Sequence, residues 1–121
     1  MTRFALTALA LMIATPLQAQ TEGLVLTLLD GAAPGFEATL SFEQPGMVFG
    51  RAPCNRYSAQ LDAPLPAFKP KAIMSTRMAC PALDAEQQFF DLLGQMDQAE
   101  LGDGVVTLTG AGHVMVFSSR P

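Results

Sequence analysis

Hydrophobic and polar positions divide the chain into one leading apolar block and a longer, patterned remainder. After a single positive charge at Arg3, an uncharged run extends from Phe4 to Leu17, and small and polar residues follow at Gln18 and Ala19. The run is shorter than the roughly 18 residues that a spanning helix needs. Pro16 interrupts its end, and Ala19 supplies the small residue of a cleavage site. Residues 1–19 therefore read as a secretory signal peptide, with Gln20 the first residue of the exported chain. No cysteine stands at the cleavage site to be acylated, so the expectation is a soluble periplasmic or extracellular protein without a membrane anchor.

Beyond the leader the period is mostly two. "LVLTLLDG" is a β-rich apolar run closed by the turn pair Asp30 and Gly31, and "FEATLSF" alternates Phe36, Ala38, Leu40 and Phe42 with Glu37, Thr39, Ser41 and Glu43. "QPG" turns into "MVFG", Pro53 breaks the ladder, and "CNRYSAQL" resumes extended structure. "DAPLPAFKP", with three prolines, is expected to connect or to lie at an edge, and "KAIMSTRMAC" to run extended after it. Near the C-terminus "AEL", "VVTLT" and "HVMVF" are separated by "GDG" and "GAG", which suit tight hairpins.

One stretch changes period. From Leu83 to Met96, with Phe89, Phe90, Leu92 and Leu93 between, the apolar residues form a broad helical stripe. Asp84 and Gln87 have the spacing of a capping box at its start, and Asp84 and Glu86 read as helix N-terminal charges rather than as a general acid and base. Strands, one helix, then strands predict an α+β fold, a single small domain with a curved, mainly antiparallel sheet packed against one main helix.

Removing residues 1–19 leaves 102 residues, enough for one domain and no second. Six basic residues then face eleven acidic ones, a formal charge of −5. The basic residues are scattered from Arg51 to Arg120, so nucleic acid is not an expected partner. An anionic membrane surface is disfavoured on the same ground.

Cys54 and Cys80 are the only cysteines and lie 26 positions apart. In an oxidising compartment a small domain with two cysteines favours a disulfide, which for a loop of that size contributes about 3.5 kcal/mol in the chain-entropy model. Zinc would need further ligands and a cysteine nucleophile would need a base. His113 is the sole histidine, read as a surface residue of a strand or hairpin. No catalytic, metal or cofactor residues are assigned, and no enzyme is expected.

"CNRYSAQL", "STRMACP" and the helix with "EQQFF" together resemble the META domain, the family that includes the bacterial heat-shock protein HslJ. The similarity runs from about Gly23 to Ser118, and the family signature falls on Cys54, Asn55, Arg56 and Tyr57 and on Thr76, Met78 and Cys80. The chain departs from the pattern at Pro53, where a small residue is common, in lacking tryptophan near its first strand, and in its proline-rich segment after Leu61. The resemblance implies a small α+β domain, often secreted or lipid-anchored, without established catalytic residues and linked to envelope stress and to tolerance of certain antibiotics.

The polar residues around the cysteines form the candidate binding patch: Asn55, Arg56, Tyr57 and Ser58, with Ser75, Thr76, Arg77 and Met78. Asn55 is expected to shape the corner at the disulfide and Tyr57 to be half-buried with its hydroxyl paired. Arg56 and Arg77, with Ser58, Ser75 and Thr76, could frame an anion site. The expected function is non-enzymatic binding, by a monomer, of a protein or cell-envelope component. The alternatives are an apolar or lipid ligand module resembling secretin pilots and a small secreted inhibitor of a wall hydrolase.

Overall fold

Strand β1 (Leu24–Leu29) sits inside a sheet rather than at its edge, between β2 (Thr39–Leu40) and the last strand, β8 (His113–Ser118). Its apolar run suits burial through Leu24 and Leu26. The register then shifts between Leu26 and Leu28 against β8, and Leu28 turns outward. The computed structural model describes residues 23–119, so the expected signal peptide and Gln20 lie outside the described residues. Asp30 and Gly31 both have positive φ (52° and 84°) and close the two-residue turn between Leu29 and Ala32.

The chain continues through β3 (Met47–Arg51), β4 (Arg56–Gln60), β5 (Met74–Ser75), helix α1 (Leu83–Leu93), β6 (Gln98–Gly102) and β7 (Val105–Gly110) to β8. A five-stranded sheet has the order β2-β1-β8-β7-β6 and a three-stranded sheet the order β3-β4-β5, with antiparallel pairing throughout. Two bridges join them into a curled half-barrel, Ser41 with Phe49 at one seam and Ala67 with Gln98 at the other. At the second seam the Phe68 amide donates to the Asp97 carbonyl and the Ala99 amide to the Pro66 carbonyl. The proline-rich segment is thus a connection, as expected, and also the element that closes the β6 edge, with Phe68 fully buried.

Helix α1 packs on the concave side. Phe89, Leu92 and Leu93 are buried among Leu24, Leu40, Leu108, Met115 and Phe117, and each side chain so buried stabilises the fold by about 1.5–3 kcal/mol. Phe89 meets Phe36 and Tyr57 edge-on, with ring centroids 6.1 and 5.5 Å apart. Beyond the helix the chain crosses β7 so closely that a Cβ on Gly110 would overlap the Gln95 carbonyl.

Three expected details differ. The capping box does not form: the N-cap is Ala82, without a side-chain bond, and Gln87 Nε2 donates instead to Asp91 Oδ1. Leu83, expected on the buried stripe, is 42% exposed. The regular strands are also shorter than the extended runs, β2 taking only Thr39 and Leu40 of "FEATLSF" and β5 only Met74 and Ser75 of "KAIMSTRMAC", although the Ala38 carbonyl still accepts the Leu26 amide and the Lys71 and Thr76 amides still donate to the Gln60 and Arg56 carbonyls. Alternation reports which side of a segment is buried, not how many of its amides find a ladder partner.

Candidate functional site

The hairpin from β3 to β4 turns at Pro53 and Cys54, closed by the Ala52 amide donating to the Asn55 carbonyl. The returning Asn55 amide does not complete the pair. It donates to Glu86 Oε1 at 2.7 Å, and the Cys54 amide donates to the same oxygen at 2.9 Å. Asn55 Nδ2 reaches Glu86 Oε2 at 2.6 Å, so a carboxylate that is only 5% exposed accepts three N–H groups. Its place in the first turn of α1 adds the favourable end of the helix dipole. A buried carboxylate without such donors would carry a large desolvation cost.

Asn55 also binds the segment that leads to Cys80. Its Oδ1 accepts the Thr76 hydroxyl at 2.9 Å and the Met78 amide at 2.6 Å, and its Nδ2 donates to the Met78 carbonyl at 3.2 Å. Thr76 Oγ1 in turn accepts the Arg56 amide. Cys54 and Cys80 form a disulfide, with Cα atoms 6.0 Å apart, and the Cys80 carbonyl accepts the Leu83 amide at the start of α1. One hairpin corner therefore anchors the helix through Glu86 and an exposed strap, residues 74–79, through Asn55 and the disulfide.

Between strap and helix runs an open groove of about 840 Å³, walled by Met74, Ser75 and Arg77 on one side and by Leu83, Gln87 and Phe90 on the other. Asn55 and Glu86 form its floor. Met74 and Met78 are 68% and 62% exposed, unusual for flexible apolar side chains with nothing packed on them. Thr76 donates its amide to the Arg56 carbonyl, so the alternation of an antiparallel ladder turns the Ser75 amide and carbonyl away from β4, toward the groove.

The residues of the expected binding patch divide among several surroundings. Asn55, Thr76 and Met78 converge in the network. Tyr57 faces the core, where its hydroxyl donates to the Thr39 carbonyl at 2.7 Å and burial pushes its pKa far above the ordinary phenol value. Its ring lies so close to β3 that a Cβ on Gly50 would overlap both the Thr39 carbonyl and the phenol. Ser58 lies opposite Met74 on the outer face of the small sheet. Arg77 lines the groove, whereas Arg56 lines two hollows on the outer face. The two arginines expected to frame one anion site thus border different spaces.

His113 begins β8 at the surface, and its Nδ1 lies 2.8 Å from Asp30 Oδ2. The other Asp30 oxygen accepts the Val114 amide, and the histidine contact followed by this amide holds the Asp30 carboxyl below its ordinary pKa. The pair sits in the β1 turn, remote in topology from the disulfide corner. Among the described residues no group of three or more His, Cys, Asp or Glu side chains could hold a metal ion, and no helix is long and apolar enough to cross a membrane.

Besides the groove-wall residues Met74, Leu83, Gln87 and Phe90, two residues were not singled out for binding in the sequence, Glu86 in the network and Arg51 on the outer face. Glu86 reads as a helix-start charge, yet it shares the i, i+3, i+7 face of Phe89 and Leu93, and that periodicity is the signal of a buried position. Arg51 becomes visible only once the hairpin register is known, because it stands directly opposite Arg56.

A family model for the META domain matches residues 16–121. No curated protein matches the chain significantly. Two solved structures share the fold. One, determined by NMR, is 24% identical with a TM-score of 0.61 and covers 88% of this chain and 96% of its own. The other, an NMR structure of a protein from Burkholderia xenovorans, is 20% identical with a TM-score of 0.62 and covers 98% and 97%.

Proposed function

This chain belongs to the META domain family, and from that premise we propose that it is an exported, non-enzymatic binding protein that engages a protein or cell-envelope component in envelope stress or antibiotic tolerance. The observation that carries the proposal is the groove between the strap and α1. It combines a sheet edge with outward-turned backbone groups, exposed Met74 and Leu83, and a floor fixed by Asn55, Glu86 and the disulfide. A rigid floor beneath adaptable methionines suits recognition of an extended segment, since preorganisation lowers the entropic cost of binding.

The disulfide supports an oxidising compartment, consistent with export. The interior favours surface binding over an enclosed apolar ligand, because Leu24, Leu40, Phe68, Phe89, Phe117 and Met115 fill the core with essentially no exposed area. The test is capture from envelope extract by wild type and by Leu83→Glu, a change at an exposed position of the groove wall. Components retained by wild type and lost by the variant are expected. Identical sets from the two proteins would refute the groove as the binding surface, and an N-terminus at Met1 in purified protein would refute export.

A further inference from the structure

The opposite face of the strap presents a second surface, which shares Met74, Ser75, Thr76 and Met78 with the groove but adds Arg51, Arg56 and Phe49, none of which lines the groove. Antiparallel register places Arg51 directly across from Arg56. The Arg51 amide donates to Thr39 Oγ1 and the Arg56 amide to Thr76 Oγ1, each away from the facing strand. The pair is therefore of the non-hydrogen-bonded type, in which Cα atoms approach to about 4.5 Å and side chains lie closest. Like charges directly opposite destabilise a sheet. Among the described residues the ion pairs are Lys71 with Asp62 and His113 with Asp30, so no carboxylate neutralises either guanidinium. In a chain of net charge −4 this is a local concentration of positive charge held in place by the hairpin register.

Both guanidinium-bearing residues line a hollow of about 370 Å³ that also includes Thr76 and Met78. Beside it, sharing Arg56 and Thr76, lies a second hollow of about 400 Å³ lined by Phe49, Ser58 and Met74. The two form one continuous surface, cationic at the hairpin end and apolar along β3 and β5. We propose that this face binds a single anionic amphiphile, its oxyanion headgroup held between Arg51 and Arg56 and its alkyl chain laid over Phe49 and Met74.

Guanidinium groups match the geometry of phosphate or carboxylate oxygens and can bind them bidentately. The exposed Met74 supplies apolar area that the fold itself does not cover. The occupant is one molecule rather than a bilayer. The apolar arm is a few side chains wide, and a chain of net negative charge is repelled by an anionic membrane surface.

The test titrates the exported protein with dodecyl phosphate below its micelle concentration, with inorganic phosphate, and with phosphatidylglycerol vesicles. Dodecyl phosphate is expected to bind at least about ten-fold more tightly than inorganic phosphate, to lose about ten-fold or more in Arg51→Gln/Arg56→Gln, and to weaken in Met74→Glu. All three positions are exposed, and unchanged circular dichroism confirms folding of the variants. Unchanged affinity in the double arginine variant would overturn the headgroup assignment. Inorganic phosphate binding as tightly as dodecyl phosphate would overturn the apolar arm. Binding to vesicles without binding of the monomeric amphiphile would overturn the single-molecule occupant.

Discussion

The carboxylate of Glu86 accepts the Asn55 backbone amide at 2.7 Å and its side-chain amide at 2.6 Å, across 31 positions of sequence. This contact locks the β3–β4 corner to helix α1, and the strap is fixed through the same asparagine. Glu86→Ala strands buried donors, each costing about 1–3 kcal/mol, so a loss of about 3 kcal/mol in denaturant unfolding is expected. Glu86→Gln is no simple rescue. Its new NH₂ faces Asn55 Nδ2, and flipping Asn55 would sacrifice the bonds from Thr76 and Met78. Stability of Glu86→Gln equal to wild type would refute this account of the corner.

Removal of the disulfide in Cys54→Ala/Cys80→Ala is expected to cost about 2–5 kcal/mol while leaving a foldable core. For a domain of this size that appears as a fall in Tm of about 4–8 °C per kcal/mol. Thiol counting on native, unreduced protein should find none free, and two reactive thiols would contradict the pairing.

Tyr57 is the only tyrosine, so phenolate absorbance reports on it alone. Burial raises its pKa in the folded state, so the neutral phenol contributes stability that is fully present below the ordinary value of 10.0 and declines as pH rises above it. Phenolate absorbance should therefore rise together with loss of circular dichroism at alkaline pH, in one cooperative step. Tyr57→Phe leaves the Thr39 carbonyl without its donor, costs about 1–2 kcal/mol at neutral pH, and flattens the alkaline limb. Ionisation of Tyr57 in protein that is still folded would contradict its burial.

Gly50→Ala places a methyl group where the Thr39 carbonyl and the Tyr57 ring already lie, with backbone on one side and a buried aromatic on the other. Destabilisation of about 3 kcal/mol or failure to fold is expected. The double variant Gly50→Ala/Tyr57→Ala should recover part of that loss relative to the sum of the single changes. Strict additivity would show that the ring is not the obstacle.

Asp30 is held below its ordinary carboxylate pKa by His113 and the Val114 amide. A depressed folded-state pKa contributes stability that is present above the unfolded value of 3.8 and lost as pH falls through the folded value. Asp30→Asn tolerates the left-handed backbone of the turn and should flatten the acid limb of the stability curve. An Asp30 carboxyl titrating at or above 3.8 by NMR would refute the pairing. His113→Ala should leave ligand capture at the groove unchanged, since the pair is remote from it in topology.

Period and punctuation in the sequence by themselves determined the α+β class, the helix from Leu83, the hairpins at Asp30–Gly31 and Ala111–Gly112, and the two cysteines as candidates for pairing. Those features are local: alternation, turn chemistry and helical repeats act over a few residues. The helical repeat puts Glu86 on the face of Phe89 and Leu93, but tertiary structure alone decided that the Cys54 and Asn55 amides meet it there, that Ala82 rather than Asp84 caps the helix, and that Phe68 closes the seam. It also separated Arg56 from Arg77 and set Arg56 against Arg51. The physical reason is that each outcome depends on which distant backbone amides and side chains arrive at one place. The helical or strand repeat tells which face a carboxylate or guanidinium lies on, but not whether solvent, a buried amide or another charge awaits it there.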